Sequence, residues 1–293
     1  MPHLKPDEVA QAAQIACLLE VSADKPGNVT RHKDFWDLKH EDFLLSAVAI
    51  GPAIREAGEK TIGETILMAI RDTLRFVAYN TNLGIVLLFA PLAKAYGPRP
   101  ERLRESLREV LASLTVDDAQ KAYRAIRLVN PGGMGRLEKY DISEEEVDIT
   151  LREAMWLAKD RDSIAKEYVT NFEKTFEFGY PCLMRCWVES HKLLDSIVQT
   201  YLSILAEVPD TQIRRINGPA VAEDASQRAK RALKLGGVFS AQGMEAVREL
   251  DRFLREEDDG LNPGTTADLV TASLFVALLE GGLYQMPCGK WRG

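Results

Sequence analysis

Apolar residues recur along almost the whole chain at spacings of three and four, the mark of helices that bury one face. From Pro6 the run Val9, Ala12, Ala13, Ile15, Ala16, Leu18 and Leu19 predicts a first helix, with Pro6 suited to its opening turn. A second run covers 41–57. Thr61-Ile-Gly-Glu64 reads as a capping box ahead of Ile66, Leu67, Ile70 and Leu74. Ser143-Glu-Glu-Glu146 reads as another, opening a helix that runs through Met155 and Leu157. Helices are also predicted over 82–96, closed by Gly97-Pro98, and near 101–113, 116–128, 162–177, 182–206, 219–235, 240–256 and 264–280. Ile85-Val-Leu-Leu-Phe89 has the composition of a buried strand, but it lies inside a longer helical pattern. The expectation is an all-α fold of at least ten helices, with no sheet of three or more strands.

Composition narrows this. With 293 residues and 46% hydrophobic content the chain can bury a large core, and disorder is excluded as its dominant state. There is no internal repeat, and the loops at Gly132-Gly133 and 256–260 are too short to separate domains. Residues 1–293 therefore read as a single compact multi-helical domain, with a two-lobed arrangement as the alternative. Its 37 Lys+Arg against 44 Asp+Glu give a formal charge of −7, which argues against a nucleic-acid binder yet leaves phosphorylated small molecules open. No signal-like or membrane-spanning apolar run is present, and four cysteines are too few for a disulfide scaffold, so a cytoplasmic protein is expected. The spacing of Cys182, Cys186 and His191 permits a metal site. Buried thiols are the commoner outcome, and no metal is expected there.

Three polar loops are not accounted for by a core. In the first, Lys25-Pro26-Gly27 ends a helix and is followed by Arg31, His32, Lys33 and Asp34, a cationic loop suited to an anion or, through its carboxylate, to base or metal chemistry. The second, Asn80-Thr81-Asn82-Leu83-Gly84, opens a nearly all-apolar helix. A helix so apolar must be central, so its free amides and positive end face an interior cleft able to take phosphate. The third, Asn262-Pro-Gly-Thr-Thr-Ala-Asp268, opens another apolar helix, with Asp268 about one turn in and in need of a partner. Each loop also has a plainer explanation as a solvated turn or a cap. A fourth candidate is Pro209-Asp210-Thr211.

In order along the chain, these segments resemble the triphosphoribosyl-dephospho-CoA synthase family. The resemblance rests on Lys25-Pro26-Gly27, the stretch 32–37, Ser46-Ala47-Val48-Ala49-Ile50, Asn80-Thr81-Asn82-Leu83-Gly84, Gly179-Tyr180-Pro181, Asp210-Thr211-Gln212 and 262–269, and spans about 15–280. The family's motif Asn-Thr-His-Lys/Arg-Gly differs here at Asn82-Leu83, its Asp-Thr-Asn at Gln212, and its Ser-Ala pair at Thr266-Ala267.

The resemblance implies an all-helical transferase that takes ATP and 3′-dephospho-CoA to 2′-(5″-triphosphoribosyl)-3′-dephospho-CoA and adenine, with Mg²⁺ carried on ATP. It implies catalytic and metal-holding roles for Asp34, Asp210 and Asp268. The implied binding set is Lys25, Gly27, Arg31, His32, Asn80, Thr81, Asn82, Gly84, Gly264, Thr265 and Thr266. Lys25, Asn80, Asp210 and Asp268 should then line one cleft. A homodimer is a further expectation. Three alternatives remain open at this point: a divergent relative acting on another phosphorylated substrate in one-carbon-carrier biosynthesis, a non-catalytic nucleotide binder, and an N-glycosidic hydrolase with water as acceptor.

Overall fold

The computed structural model describes residues 4–97, 102–133, 139–144, 146–255 and 261–283, and the apolar runs within them fold as helices. In chain order these are α1 (Pro6–Ser22), α2 (His40–Ala49), α3 (Gly51–Arg55), α4 (Ile62–Thr73), α5 (Leu83–Ala95), α6 (Leu103–Ala112), α7 (Val116–Val129) and α8 (Leu151–Ala158). They continue as α9 (Ser163–Thr170), α10 (Tyr180–Ser190), α11 (Leu193–Glu207), α12 (Thr211–Asn217), α13 (Pro219–Lys234), α14 (Ala241–Arg255) and α15 (Gly264–Leu279). The fold is all-α. Residues 85–89 are helical, and the one β-type pairing among the described residues is an isolated bridge between Thr30 and Lys33.

Local chemistry explains where the helices depart from the periodicity. The run 41–57 breaks between α2 and α3, where Pro52 has no N–H for the carbonyl of Val48; Gln14 Nε2 donates to that oxygen instead, at 3.0 Å. Ser143 opens no helix: its hydroxyl donates to Asp141 Oδ1 at 2.6 Å. The box that starts α8 is Thr150 with Glu153. The run 162–177 is cut at Asn171 and Phe172, both left-handed, and resumes as a π-helical stretch, Lys174–Gly179, whose first amides donate to the buried carboxylate of Glu167. A left-handed His191 likewise divides 182–206 into α10 and α11. The short helix α12 follows Asp210, in a stretch that carries no helical period long enough to show. The loop 256–260 and Cys288 lie outside the described residues.

Two helices form the axis of the core. In α5 every residue but Gly84 and Lys94 is buried, and in α15 every residue but Gly264, Ala267 and Asp268. They pack side by side, with the Phe89 and Phe275 rings 4.3 Å apart. Pro91 lies inside α5 and leaves the carbonyl of Leu87 without its helical donor; the hydroxyl of buried Tyr168 on α9 fills that role at 2.6 Å. A helix buried all round can expose polar atoms only at its ends. Here the N-terminal ends of α5 and α15 are where the core opens.

Candidate active site

The two N-termini meet. A methyl group on Gly84 would lie 2.5 Å from Asp268 Cγ, so a residue without a side chain at the mouth of α5 is what lets the Asp268 carboxylate rest against that helix. The amides of Gly84 and Ile85 have no partner among the described residues, as expected for a first helical turn. Gly264 has the same function at the other mouth: a side chain there would strike Gln212, whose amide occupies the space.

Asp268, Gly84, Leu83, Asn80 and Gln212 form the common floor of a cleft with two lobes. The polar lobe, about 690 Å³, is walled by Glu20, Lys25, Asn28, Thr81, Asn82, Asn262 and Gly264. The apolar lobe, about 1000 Å³, is walled by aliphatic side chains of α5, α7, α8 and α9, with Tyr123 and Tyr140, and carries Arg161, Asp162 and Arg215.

Asp268 carries the unusual electrostatics. Its carboxyl has no hydrogen-bond partner among the described residues. Burial first, then the charges of Glu20, Asp210 and Asp162, push its pKa well above the ordinary carboxyl range, against a smaller pull from Arg215. A carboxyl in such a setting holds its proton until something arrives to take it or to neutralise it. It is therefore a strong base once ionised, and a ready seat for a cation.

Asp210 is different. Its Oδ1 accepts the amides of Gln212 and Ile213, and its Oδ2 accepts the amide and hydroxyl of Thr266, at 2.7–3.0 Å. Burial still raises its pKa, but all its lone pairs facing the protein are engaged. It clasps the starts of α12 and α15 together and does not line the cleft. Thr265 sits beside this clasp, accepting from Thr211 at 3.2 Å. Lys25 is 1% exposed and reaches the polar lobe, with its ammonium held by Glu20 Oε1 at 3.0 Å and by the carbonyls of Glu20 and Ala23.

Of the residues singled out from sequence, Lys25, Asn80, Thr81, Asn82, Gly84, Gly264, Thr265 and Asp268 line one lobe or the other. Asp210 and Thr266 sit just behind them. Asp34, Arg31 and His32 do not belong to the cleft. All three are exposed: Asp34 accepts the His40 amide and caps α2 at 2.9 Å, while Arg31 and His32 bond to each other at 2.9 Å. The charge run that drew attention to them is a solvated turn. Gly27, with φ of +75°, donates its amide to Asp251 on α14 and packs against Leu254. Pro26 offers its carbonyl to Tyr201 at 2.8 Å, so the Lys-Pro-Gly segment ties α1, α11 and α14 into one frame.

Glu20, Asn28, Gln212, Asn262, Arg161 and Arg215 escaped the sequence reading as site residues. Glu20 had a legible signal: it follows Ala13, Ala16 and Cys17 on the buried stripe of α1, where a carboxylate needs a reason. Arg161 and Arg215 had none, the first being one arginine in the turn before α9 and the second one among many on helices. Cys182 and Cys186 are buried while His191 is exposed and set edge-on to Trp187, and no group of three metal-ligating side chains occurs among the described residues.

Comparison with known proteins gives this cleft its context. Residues 6–285 match the model of the ATP:dephospho-CoA triphosphoribosyl transferase family. The chain belongs to that family. It is 25% identical to the 2-(5″-triphosphoribosyl)-3′-dephosphocoenzyme-A synthase of Klebsiella pneumoniae, over 95% of this chain and 93% of that one. It is also 25% identical to a probable synthase of the same name from Malonomonas rubra, over 93% and 88%. A crystal structure of an Archaeoglobus fulgidus protein named for the same synthase superposes with a TM-score of 0.65 at 31% identity, covering 81% of this chain and 99% of that one. The chain is thus a transferase of this family, and no helix among its described residues is long and apolar enough to cross a membrane.

Proposed function

We propose that this chain transfers the triphosphoribosyl group of ATP to a ribose hydroxyl of dephospho-CoA, with Asp268 as the general base. The observation that carries the assignment is the unpartnered Asp268 carboxyl on the floor shared by both lobes, where a donor in one and an acceptor in the other come together. The acceptor oxygen bonds to the anomeric carbon of the ATP ribose, the bond from that carbon to adenine breaks, and the hydroxyl proton passes to Asp268. Adenine departs with the bonding electron pair and is protonated on release. Positive charge develops at the anomeric carbon, and an ionised Asp268 also stabilises it electrostatically. Triphosphate oxygens are received by the free amides of Gly84 and Ile85 at the positive end of α5.

Of the three aspartates first considered for Mg²⁺, Asp210 has its oxygens engaged and Asp34 lies outside the cleft. Asp268, without a hydrogen-bond partner and surrounded by negative charge, fits a cation, as does Glu20 through the oxygen that Lys25 leaves open. Two carboxylates make too thin a cage for a resident metal but suit Mg²⁺ that keeps its waters and arrives on ATP. Such an ion would supply charge neutralisation on the triphosphate and, beside Asp268, would favour loss of its resting proton to solvent; the protein's own contribution is to hold Glu20 in place through Lys25 and to leave one Asp268 oxygen open to take the acceptor's proton.

The test is adenine release from ATP, followed by chromatography with and without dephospho-CoA. Release that depends on the acceptor and matches its consumption supports transfer. Equal release without acceptor would mean that water is the acceptor, and no release in either case that the chain only binds nucleotide. Asp268→Asn should abolish acceptor-dependent release.

A further inference from the structure

The cleft is divided chemically as well as spatially, and that division bears on which substrate lies where. Among the described residues that line the polar lobe the one cationic side chain, Lys25, is already engaged by Glu20 and two carbonyls. In the apolar lobe Leu83, Leu87, Ile142, Leu151 and Met155 offer a long aliphatic surface. At that lobe Arg161 is exposed, and its guanidinium has no hydrogen bond or ion pair among the described residues. Arg215 is held differently: Nε donates to the carbonyl of Gly132 at 2.9 Å and Nη1 lies 3.6 Å from Asp162 Oδ2, which fixes the guanidinium, and its other N–H groups have no partner among the described residues. Asp162 is itself fixed, because its Oδ1 caps α9 through the amides of Ile164 and Ala165.

We infer that the apolar lobe is the acceptor's half of the site, taking the pantetheine arm along its aliphatic wall and the acceptor's diphosphate on Arg161 and Arg215. The inference rests on the transferase reading above and adds to it which substrate fills which lobe and which residues select the acceptor. ATP's apolar portion is a single flat base, which does not call for a long aliphatic wall. An acceptor with a flexible apolar arm ending in a diphosphate does, and two guanidiniums beside that wall complement its charge. The remaining lobe, with its amides, asparagines and carboxylates, matches the hydroxyl- and phosphate-rich body of ATP.

Two variants separate the lobes. Ala158→Phe places a ring in the apolar lobe from the half-buried face of α8, and Arg161→Gln removes a free charge at an exposed position where folding is not at stake. Binding of dephospho-CoA and of ATP is measured separately by calorimetry, alongside the two KM values. The expected result is a loss of dephospho-CoA affinity of about tenfold to a hundredfold in each variant, with a matching rise in its KM and an ATP affinity within about twofold of wild type. Arg161→Lys should recover part of the loss. ADP, an acceptor analogue without the arm, should bind Ala158→Phe and wild type alike. Loss of ATP affinity in place of acceptor affinity, or unchanged acceptor affinity in Arg161→Gln, overturns the assignment. A wild type that binds dephospho-CoA through this lobe yet releases no adenine would defeat the transferase reading while leaving the lobe assignment standing.

Discussion

Replacing Asp268 by Asn separates what this residue costs the fold from what it gives the reaction. Asn has nearly the same shape and does not ionise. If Asp268 takes the acceptor's proton, the variant loses a general base worth about 10²–10⁴ in rate, which is about 2.7–5.5 kcal/mol of transition-state stabilisation. Stability should move the other way. The folded pKa of Asp268 lies above its unfolded value of about 3.9, so between the two the native state holds more protons than the unfolded one. Wild-type stability therefore falls as pH rises through that window, by about 1.4 kcal/mol per pH unit for this group, and the Asn variant is spared that fall.

Thermal melts at pH 5.0, 6.5 and 8.0 without nucleotide or Mg²⁺ should show the variant gaining on wild type as pH increases. For a chain of this size each kcal/mol corresponds to roughly 2 °C in Tm. Adenine release under saturating substrates should meanwhile drop at least a hundredfold. A variant that melts below wild type at pH 8.0 refutes the description of Asp268 as an unpaired carboxyl with a raised pKa. One that turns over within threefold of wild type refutes the catalytic assignment.

Gly84→Ala should lower turnover more than tenfold with no gain in Tm: alanine favours the helix by about 1 kcal/mol, but its methyl displaces the Asp268 carboxyl. Asp210→Ala should destabilise by about 2–4 kcal/mol, read in urea melts, because four donors at the starts of α12 and α15 lose their acceptor. Asp34→Ala should leave kcat/KM within about twofold and cost about 0.5–1 kcal/mol as a lost α2 cap; a larger kinetic loss would return Asp34 to the site. Lys25→Met should destabilise by about 3–5 kcal/mol by leaving Glu20 unpaired, and Lys25→Met with Glu20→Leu should recover most of it; equal melting of the single variant and wild type would refute the pairing.

The axis of this fold could be read from the sequence because α5 and α15 are apolar on every side, and such helices have nowhere to be but the centre. The same argument located the cleft, since Gly84, Gly264 and Asp268 are among the few positions those helices leave uncovered. Charge was the weaker guide. Arg31, His32 and Asp34 look like a site in one dimension, but no apolar surface holds them in, and they turn out to water. Asp210 looks equally reactive and is structural, because its four donors come partly from Thr266, fifty-six residues away, which no local pattern reveals. Arg161 and Arg215 come from α9's approach and α12, and only the packing of α7, α8 and α9 around α5 brings them to one lobe.

The departure at Asn82-Leu83 and the raised carboxyl of Asp268 belong together. Asn82 turns its amide nitrogen to Thr73 Oγ1 at 3.0 Å, and Leu83 contributes apolar wall to both lobes, so neither puts a positive charge beside Asp268. A lysine or arginine at the second position would reach phosphate with a charge-assisted bond of about 1.5–3 kcal/mol, and would also hold a neighbouring carboxylate ionised. With leucine there, the proposed reaction leaves phosphate to the amides of Gly84 and Ile85, whose helix end would contribute roughly 0.3–1 kcal/mol to an anion, rising to about 2 when partly buried. Asp268 in turn is raised first by its burial and then by the charges of Glu20, Asp210 and Asp162, with only Arg215 pulling the other way. Under the proposed reaction the substitution would weaken the grip on phosphate and strengthen the base. Both effects arise at one helix mouth, and the first is what a cation brought in with the nucleotide can offset.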